Sequence, residues 1–309
     1  MTSTSTTQSD PWTILRLLQW TTEHLKKNGS ASPRLDAEVL LAHARGCERI
    51  ALYTAFAEEP DEPVKARFRE IVKRRAQGEP VAYLVGKKEF YSLPFQVTKD
   101  CLIPRGETEH VVVECLDHAK PILANEPAKQ LNIVDVCTGS GCIAVSVAKH
   151  LSQCSIIAID LSPAAVAIAK ANVQTHQLAD RISVVESDLL TSIPDESVDF
   201  VLSNPPYVSE AEYAKLDKTV RDHEPRMALV SGVTGTEIIE QLTAQAARKL
   251  VANGWFICEL SPMIADQVES HLASTNNWIN ITIVKDLARL KRLVVAQRSA
   301  PASTITKQP

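Results

Sequence analysis

The chain has 309 residues, which is more than one small domain needs, so two domains are expected. Hydrophobic residues make up 45% and charged residues 23%, an ordinary globular composition that excludes fibres and low-complexity scaffolds. With 33 basic and 37 acidic residues the net charge is −4, so no general attraction for nucleic-acid phosphates is expected. No apolar run approaches the roughly 18 residues that span a bilayer, and the N-terminus resembles neither a secretory nor a mitochondrial leader.

Residues 11–85 predict a small bundle of helices. In the first helix, which ends at Asn28-Gly29, the apolar residues that recur at helical spacing are Trp12, Leu15, Leu18 and Leu25. A second helix begins at Ser32-Pro33 and ends at Gly46, with an apolar face of Leu35, Val39 and Ala42. A third extends from Pro63 to Gly78. The polar tails, residues 1–10 and 299–309, are expected to be disordered.

Residues 86–104 predict a β-hairpin that links this bundle to a second domain. The segment EFYSLPFQVTKDCLI, residues 89–103, is rich in β-branched and aromatic residues. Because proline cannot donate to a strand ladder, Pro94 must lie in the turn or on an edge.

From residue 105 to residue 298, helical and strand patterns alternate. Helices are predicted at Glu107–Ala119, Ser162–Gln177 and Thr236–Val251. Strands are predicted at 131–136 (LNIVDV), 155–160 (SIIAID), 181–188, 198–203 (VDFVLS), 255–260, 278–285 and 290–297. Strands separated by helices of this length indicate an α/β fold with a doubly wound, mainly parallel sheet.

The seven cysteines form no CxxC pair, and their number is odd, so neither a disulfide framework nor a zinc site is expected. The eight histidines form no HxH or HExxH cluster, so we expect no metal. Cysteines within apolar segments are typical of a reducing compartment, which predicts a cytoplasmic protein.

The first candidate motif is Asp-Val-Cys-Thr-Gly-Ser-Gly, residues 135–141, between a strand and a helix. Glycines permit a tight turn there, and the helix N-terminus offers N–H groups to a ligand. Asp160 ends the next strand, about 20 residues on, where an acid can accept hydrogen bonds from both hydroxyls of a ribose. A tight turn without a ligand and an ordinary surface aspartate remain the alternatives.

The second and third motifs end the next two strands. Asp188, followed by Leu189, lies where an acid could accept a hydrogen bond from an adenine amino group. Asn204-Pro-Pro-Tyr207 follows VDFVLS, and its prolines remove two N–H donors. The Asn204 side-chain carbonyl and the Pro205 carbonyl can accept both hydrogens of a planar amino group, and the Tyr207 ring can pack on it. A proline-rich turn is the alternative.

These motifs resemble those of S-adenosylmethionine-dependent methyltransferases that act on planar amino nitrogens. DNA adenine-N6 and protein glutamine-N5 methyltransferases share NPPY. Over about residues 11–297 the chain is similar to the HemK-type peptide-chain release factor glutamine methyltransferases. The similar segments are RLDAEVLLAHA, PVAYLVG, LIPRGETE, HEPRMALVSGVTG and D-L-x-x-x-x-R from Asp286 to Arg292. The departures are Cys137 and Arg289 in place of Gly, Gly106 in place of Pro, and ELSP at 259–262 in place of E-x-G.

The resemblance implies a Rossmann-like class I methyltransferase domain at residues 105–298 and a helical substrate-recognition domain at 11–85. It implies S-adenosyl-L-methionine as cofactor, bound by Cys137, Thr138, Gly139, Ser140, Gly141, Asp160, Asp188, Leu189 and Asn204. The acceptor glutamine would be bound by Asn204, Pro205, Pro206 and Tyr207, with Asn204, Pro205 and Tyr207 catalytic. Arg105, Glu107 and Glu109 could cap a helix or line the pocket, and we assign them no catalytic role.

The implied reaction is N5-methylation of the glutamine in the Gly-Gly-Gln loop of a release factor, by direct displacement that depends on positioning and acceptor dipoles. A ribosomal-protein glutamine methyltransferase, a DNA adenine methyltransferase and an inactive scaffold are the alternatives. We expect a monomer whose partner is the release factor, with no membrane or direct nucleic-acid substrate. The basic run at 65–75 could meet an acidic partner or ribosomal RNA, or form a solvated helix face.

Overall fold

The computed structural model describes residues 11–300, which divide into two compact units between Gly86 and Lys87. The predicted disordered tails, apart from residues 299 and 300, lie outside the described residues. The hairpin that sequence reasoning placed between two domains groups with the second unit.

The first unit is helical, as predicted. Within residues 11–86 its helices are α1 (Ile14–Lys27), α2 (Pro33–Arg45), α3 (Ala51–Thr54), α4 (Glu62–Ala76) and α5 (Val81–Val85). The short α3 and α5 were not predicted. In α4, Arg67 donates to the Ala44 carbonyl oxygen and Arg75 forms an ion pair with Asp36 at 2.8 Å. These contacts within the unit favour a structural role for part of the basic run.

The predicted apolar faces of α1 and α2 were partly wrong. Leu15 and Leu35 are exposed, while the buried stripe of α1 contains Ile14, Leu17, Leu18 and Leu25. Apolar residues lie on two sides of each helix, so the spacing alone does not identify the side that packs. Ser32 is the N-cap of α2 as predicted, but its side chain makes no capping hydrogen bond.

The hairpin consists of β1 (Lys87–Phe90) and β2 (Leu93–Gln96), shorter than the predicted span. Pro94 lies in β2 opposite Glu89, on an edge of this two-stranded sheet. The hairpin is held to the helix that spans residues 163–175. The Asn172 side chain accepts from the Gln96 N–H at 2.8 Å and donates to the Gln96 carbonyl at 3.0 Å. His176, just past that helix, contacts the Pro94 carbonyl at 2.8 Å.

The second unit contains a seven-stranded sheet. Its strands are β3 (Leu131–Val136), β4 (Cys154–Asp160), β5 (Ile182–Glu186), β6 (Val198–Ser203), β9 (Leu250–Glu259), β10 (Trp278–Lys285) and β11 (Lys291–Arg298). Their order across the sheet is β10-β11-β9-β6-β3-β4-β5. The bounds of β3 and β6 match the prediction. β4 and β6 flank β3 on opposite sides, so the strand order reverses direction at β3. In open α/β sheets, ligands bind at the carboxyl ends of the strands at such a switch point.

Helices cover both faces of this sheet, which confirms the doubly wound class. They are α6 (Glu109–Asn125), α7 (Cys142–His150), α8 (Pro163–Thr175), α11 (Glu237–Lys249) and α12 (Ala265–Ala273). One apolar cluster joins Ile133 to Val111 of α6 and Ile143 of α7. The other joins Val134, on the opposite face, to Leu242 of α11 and Val268 of α12.

Two features of this unit were not resolved by the sequence pattern. β11 runs antiparallel to both β9 and β10, because the tight turn between β10 and β11 cannot return a parallel strand. The chain after NPPY forms a small substructure before α11. It contains β7 (Val208–Ser209), α9 (Glu210–Tyr213), α10 (Lys218–Arg221), a turn of 3-10 helix (Arg226–Ala228) and β8 (Val230–Gly232).

Candidate active site

A cavity of about 230 Å³ lies at the carboxyl ends of the central strands. Its lining brings together nine of the residues singled out in the sequence: Cys137, Thr138, Gly139, Ser140, Asp160, Asp188, Leu189, Asn204 and Pro206. Gly141, Pro205 and Tyr207, which were also predicted to bind ligands, lie outside the lining. Gly141 caps α7 in a left-handed conformation.

The loop between β3 and α7 turns through left-handed backbone. Gly139 has φ +56° and Gly141 φ +79°, and Cys137 between β3 and these glycines has φ +59°. Cys137 therefore adopts a left-handed backbone conformation that glycine takes readily. This conformation costs an L-residue about 1–2 kcal/mol.

Asp135 organises this loop from inside the core. Its carboxyl is fully buried, and Oδ2 accepts from the Thr138 hydroxyl at 2.5 Å and the Ala144 N–H at 3.1 Å. Oδ1 has no hydrogen-bond partner among the described residues. Burial disfavours the charged form and raises the pKa of Asp135 to about 7.

Asp160 presents a carboxylate at the cavity edge. Oδ2 accepts from the Gly139 N–H and Oδ1 from the Ser162 N–H, both at 2.9 Å. These bonds fix the side chain and lower its pKa, while burial is the larger effect and raises it. Each oxygen retains acceptor capacity, so the group suits a pair of neighbouring hydroxyls. Asp188 is exposed at the cavity, and the buried Leu189 supplies an apolar wall.

Asn204 is held by a residue that sequence reasoning missed. Its Nδ2 donates to Thr108 Oγ1 at 3.0 Å, which directs the amide carbonyl away from Thr108. Both residues line the cavity. Ser203 donates from Oγ to the Val136 carbonyl at 2.7 Å, so the end of β6 is tied to β3 directly before NPPY.

Glu259, at the end of β9, lies behind this pair and was also missed. Its carboxyl is buried, and Oε1 accepts from the Tyr207 hydroxyl at 3.0 Å. Burial raises the pKa of Glu259, while hydrogen bonds from Thr108 and Tyr207 lower it. Burial, together with the nearby Glu259 carboxyl, also raises the pKa of Tyr207, so its phenol stays protonated. An acid ending the strand beside β6 was the sequence feature that could have revealed this group.

The LIPRGETE and HEPRMALV segments meet at the cavity. Glu224 is buried, forms an ion pair with Arg105 and accepts from the Ile103 N–H at 3.2 Å. Pro104 and Met227, one from each segment, line the cavity. Glu109 accepts from the Tyr91 N–H at 2.8 Å instead of facing the cavity, so its role is to hold the hairpin turn.

Within residues 11–300, no group of three or more His, Cys, Asp or Glu side chains could hold a metal ion. In the same range, no helix is long and apolar enough to cross a membrane.

Two family models match the chain. The PrmC N-terminal domain matches residues 16–86, and the methyltransferase small domain matches residues 112–222. The fold also matches the solved hMettl16 catalytic domain in complex with MAT2A 3'UTR hairpin 6, with a TM-score of 0.53. That match has 18% identity and covers 75% of this chain and 83% of that one. At this identity the likeness shows the fold alone.

Relatives that match nearly the full length are named release factor glutamine methyltransferase. The protein from Rhodopirellula baltica is 47% identical over 295 residues, 95% of this chain and 99% of its own. The one from Nitratidesulfovibrio vulgaris is 39% identical, covering 93% and 96%. The one from Koribacter versatilis is 38% identical, covering 89% and 95%.

Proposed function

The chain belongs to the release factor glutamine methyltransferase family, and we propose that it methylates the side-chain amide nitrogen of the glutamine in the Gly-Gly-Gln loop of a peptide-chain release factor, using S-adenosyl-L-methionine. The observation that carries this proposal is the single cavity that joins Asp160 and the loop after β3 to Asn204 of NPPY. A cofactor site and an acceptor site must share one space for direct transfer.

The residues around the cavity fit S-adenosyl-L-methionine. Asp160 offers a fixed carboxylate for the ribose hydroxyls, Asp188 and Leu189 a polar and an apolar contact for the adenine, and the loop at 137–141 an approachable backbone. The buried Ser140 hydroxyl lines the same cavity with no partner among the described residues, as expected of a group that serves a ligand. When bound, this cofactor supplies a methyl group on a positively charged sulfur.

Asn204 and Pro205 are proposed to orient the acceptor amide. Because Thr108 holds the Asn204 amide nitrogen, the side-chain carbonyl of Asn204 can accept one hydrogen of the acceptor –NH2. The backbone carbonyl of Pro205 would accept the other. With both hydrogens held, the nitrogen has one direction of attack, and its proton becomes acidic only as the new bond forms, so no general base is required before attack.

Glu259 and Tyr207 support this arrangement from behind. The Tyr207 hydroxyl is bonded to Glu259, which also contacts Thr108, so the group that orients Asn204 is itself fixed. Tyr207 would then contribute its ring to the acceptor site, with its hydroxyl committed to Glu259. Catalysis by positioning requires that the side chain which orients the substrate is itself held rigidly.

Label transfer tests the proposal. Purified release factor is incubated with S-adenosyl-L-methionine carrying a radiolabelled methyl group and either wild type or Asn204→Ala. A release factor with the acceptor Gln→Ala, ribosomal protein and duplex DNA serve as alternative acceptors. Label on the intact factor that disappears with either substitution supports the proposal. Label on ribosomal protein or DNA instead would contradict the substrate but keep the chemistry.

We also propose a role for each segment of the chain. Residues 11–85 would recognise the release factor, 86–104 would form the connecting hairpin and 105–298 would carry the methyltransferase chemistry. We also propose a monomer that works in the cytoplasm without a membrane or a direct nucleic-acid substrate. Light scattering of the purified protein, alone and with release factor, would measure the stoichiometry directly.

A further inference from the structure

The ion pair between Arg105 and Glu224 joins two segments that both line the cavity. Leu102 and Pro104 line it from the segment that contains Arg105, and Met227 lines it from the segment that contains Glu224. The two partners are separated by 119 residues of chain. Their ion pair therefore fastens one part of the cavity lining to another that is distant in sequence.

Glu224 is buried more completely than is usual for a carboxylate. Its side chain is 1% exposed, whereas that of Arg105 is 33% exposed. Oε1 accepts from the Arg105 guanidinium and Oε2 accepts from the Ile103 N–H at 3.2 Å, so both carboxylate oxygens hold the same segment. A buried carboxylate needs such partners, because removing one leaves a charge that nothing compensates.

Arg105 is connected to the side chain that is proposed to orient the acceptor. Its backbone carbonyl accepts from the Thr108 N–H at 3.2 Å, and the Thr108 hydroxyl accepts from Asn204 Nδ2 at 3.0 Å. Burial is the largest effect on the pKa of Tyr207 and raises it, while the positive charge of Arg105 lowers it. Arg105 is therefore hydrogen-bonded to the residue that holds Asn204, and its charge acts on Tyr207 at the other end of NPPY.

Glu224 is connected to the chain that leaves the same motif. The segment after Glu224 passes through Met227, and the Leu229 carbonyl accepts from the Val208 N–H at 2.9 Å. Val208 directly follows NPPY and begins β7. A shift of this segment would change the cavity lining and the backbone after NPPY together.

We propose that Arg105 and Glu224 are positioning residues for methyl transfer, whose ion pair holds the two segments so that Asn204 presents the acceptor amide to the cofactor. This inference rests on the proposed function for the reaction. It assigns Arg105 a role that acts through Thr108 and Asn204, without contact between Arg105 and the acceptor.

Methyl transfer to purified release factor, calorimetry with S-adenosyl-L-methionine and thermal unfolding test this role together. Arg105→Met leaves the buried Glu224 carboxylate without its ion pair. Arg105→Met/Glu224→Gln removes that charge, and the glutamine can still accept from Ile103. Arg105→Lys keeps a positive charge at this position. The matched control is Glu210→Gln, which breaks an ion pair with Arg226 whose side chains are both more than half exposed.

We expect Arg105→Met to lower the unfolding temperature and to reduce kcat about 10- to 100-fold, with a smaller change in the Kd for S-adenosyl-L-methionine. The double variant should regain unfolding temperature but not kcat, because it removes the unpaired charge without restoring the pair. Arg105→Lys should retain more activity than Arg105→Met. The control should match wild type in all three measurements, since exposed ion pairs contribute little.

Wild-type kcat in the double variant would overturn the proposal, because the pair would then serve stability alone. A rise in the cofactor Kd as large as the fall in kcat would also overturn it, because the pair would then shape the cofactor site. If Arg105→Met does not fold, the double variant and Arg105→Lys decide the question. Failure of the proposed function is distinguishable: wild type itself would transfer no methyl group to release factor, and this inference would fail with it.

Discussion

Replacing Asp135 by Asn should remove the pH dependence that this buried carboxyl gives to the stability of the protein. The Asp135 carboxyl is fully buried, and its Oδ2 holds both Thr138 and Ala144. An asparagine side chain can place its carbonyl oxygen at the Oδ2 position and keep both hydrogen bonds. Its –NH2 would then occupy the Oδ1 position, where the structure shows no partner among the described residues.

The size of the expected change in the free energy of unfolding follows from the pKa of Asp135. Burial raises the pKa of Asp135 from 3.8 to about 7, which at about 1.4 kcal/mol per unit amounts to about 4 kcal/mol. Because the native state binds this proton more tightly than the unfolded chain, the contribution is fully present below about pH 4 and is lost as pH rises towards 7. Burying the unpaired –NH2 of the variant costs about 1–3 kcal/mol at every pH.

Urea denaturation followed by circular dichroism at several pH values between 5 and 8 measures this difference. Relative to wild type, Asp135→Asn should gain about 2 kcal/mol in the free energy of unfolding between pH 5 and pH 7. Asp180→Asn, at an exposed position, is the matched control. A difference between wild type and Asp135→Asn that does not change with pH would refute the reasoning.

Three further substitutions test other parts of the site. Asp160→Asn should weaken binding of S-adenosyl-L-methionine about 10- to 100-fold by calorimetry, since hydrogen bonds to a charged group are worth about 1.5–3 kcal/mol; an unchanged Kd would contradict the ribose assignment. Gly235→Ala should lower the unfolding temperature more than Gly139→Ala. At position 235 the added Cβ would lie 2.8 Å from the Tyr207 carbonyl oxygen, whereas at position 139 it would lie in open space. Equal shifts in unfolding temperature would contradict this. Glu259→Gln should keep the Tyr207 bond and methyl transfer. Its stability relative to wild type should increase as pH rises above 4.5, because burial raises the pKa of the wild-type carboxyl. Loss of activity in Glu259→Gln at full stability would rule out a purely positioning role.

Strand positions were the most predictable part of the fold. LNIVDV and VDFVLS are buried almost throughout, and a short continuous apolar run between turns marks such a strand well. The direction of β11 was harder to predict from the sequence. It depends on which strands pair with one another and not on the residue pattern within one strand. The predicted faces of α1 and α2 were only partly correct for a similar reason, since burial of Leu17 or Ala37 is decided by the neighbouring helices.

The site was predictable where it consists of strand ends. Asp160 ends β4, Asp188 follows β5 and Asn204 follows β6. All three strands belong to the parallel part of one sheet, which brings these residues to the same edge. Thr108 and Glu259 were missed because their roles arise from hydrogen bonds across long separations: Thr108 meets Asn204 over 96 residues of chain. A sequence read by spacing alone has no means of pairing such residues.

Locating the methyl group tests the central claim most directly. Purified release factor is treated with wild type or with Asn204→Ala in the presence of S-adenosyl-L-methionine, and tandem mass spectrometry identifies the modified atom. The account predicts one methyl group on the side-chain amide of the Gly-Gly-Gln glutamine with wild type, and a strongly reduced yield with Asn204→Ala. A methyl group on a different residue, or full modification by Asn204→Ala, would contradict it.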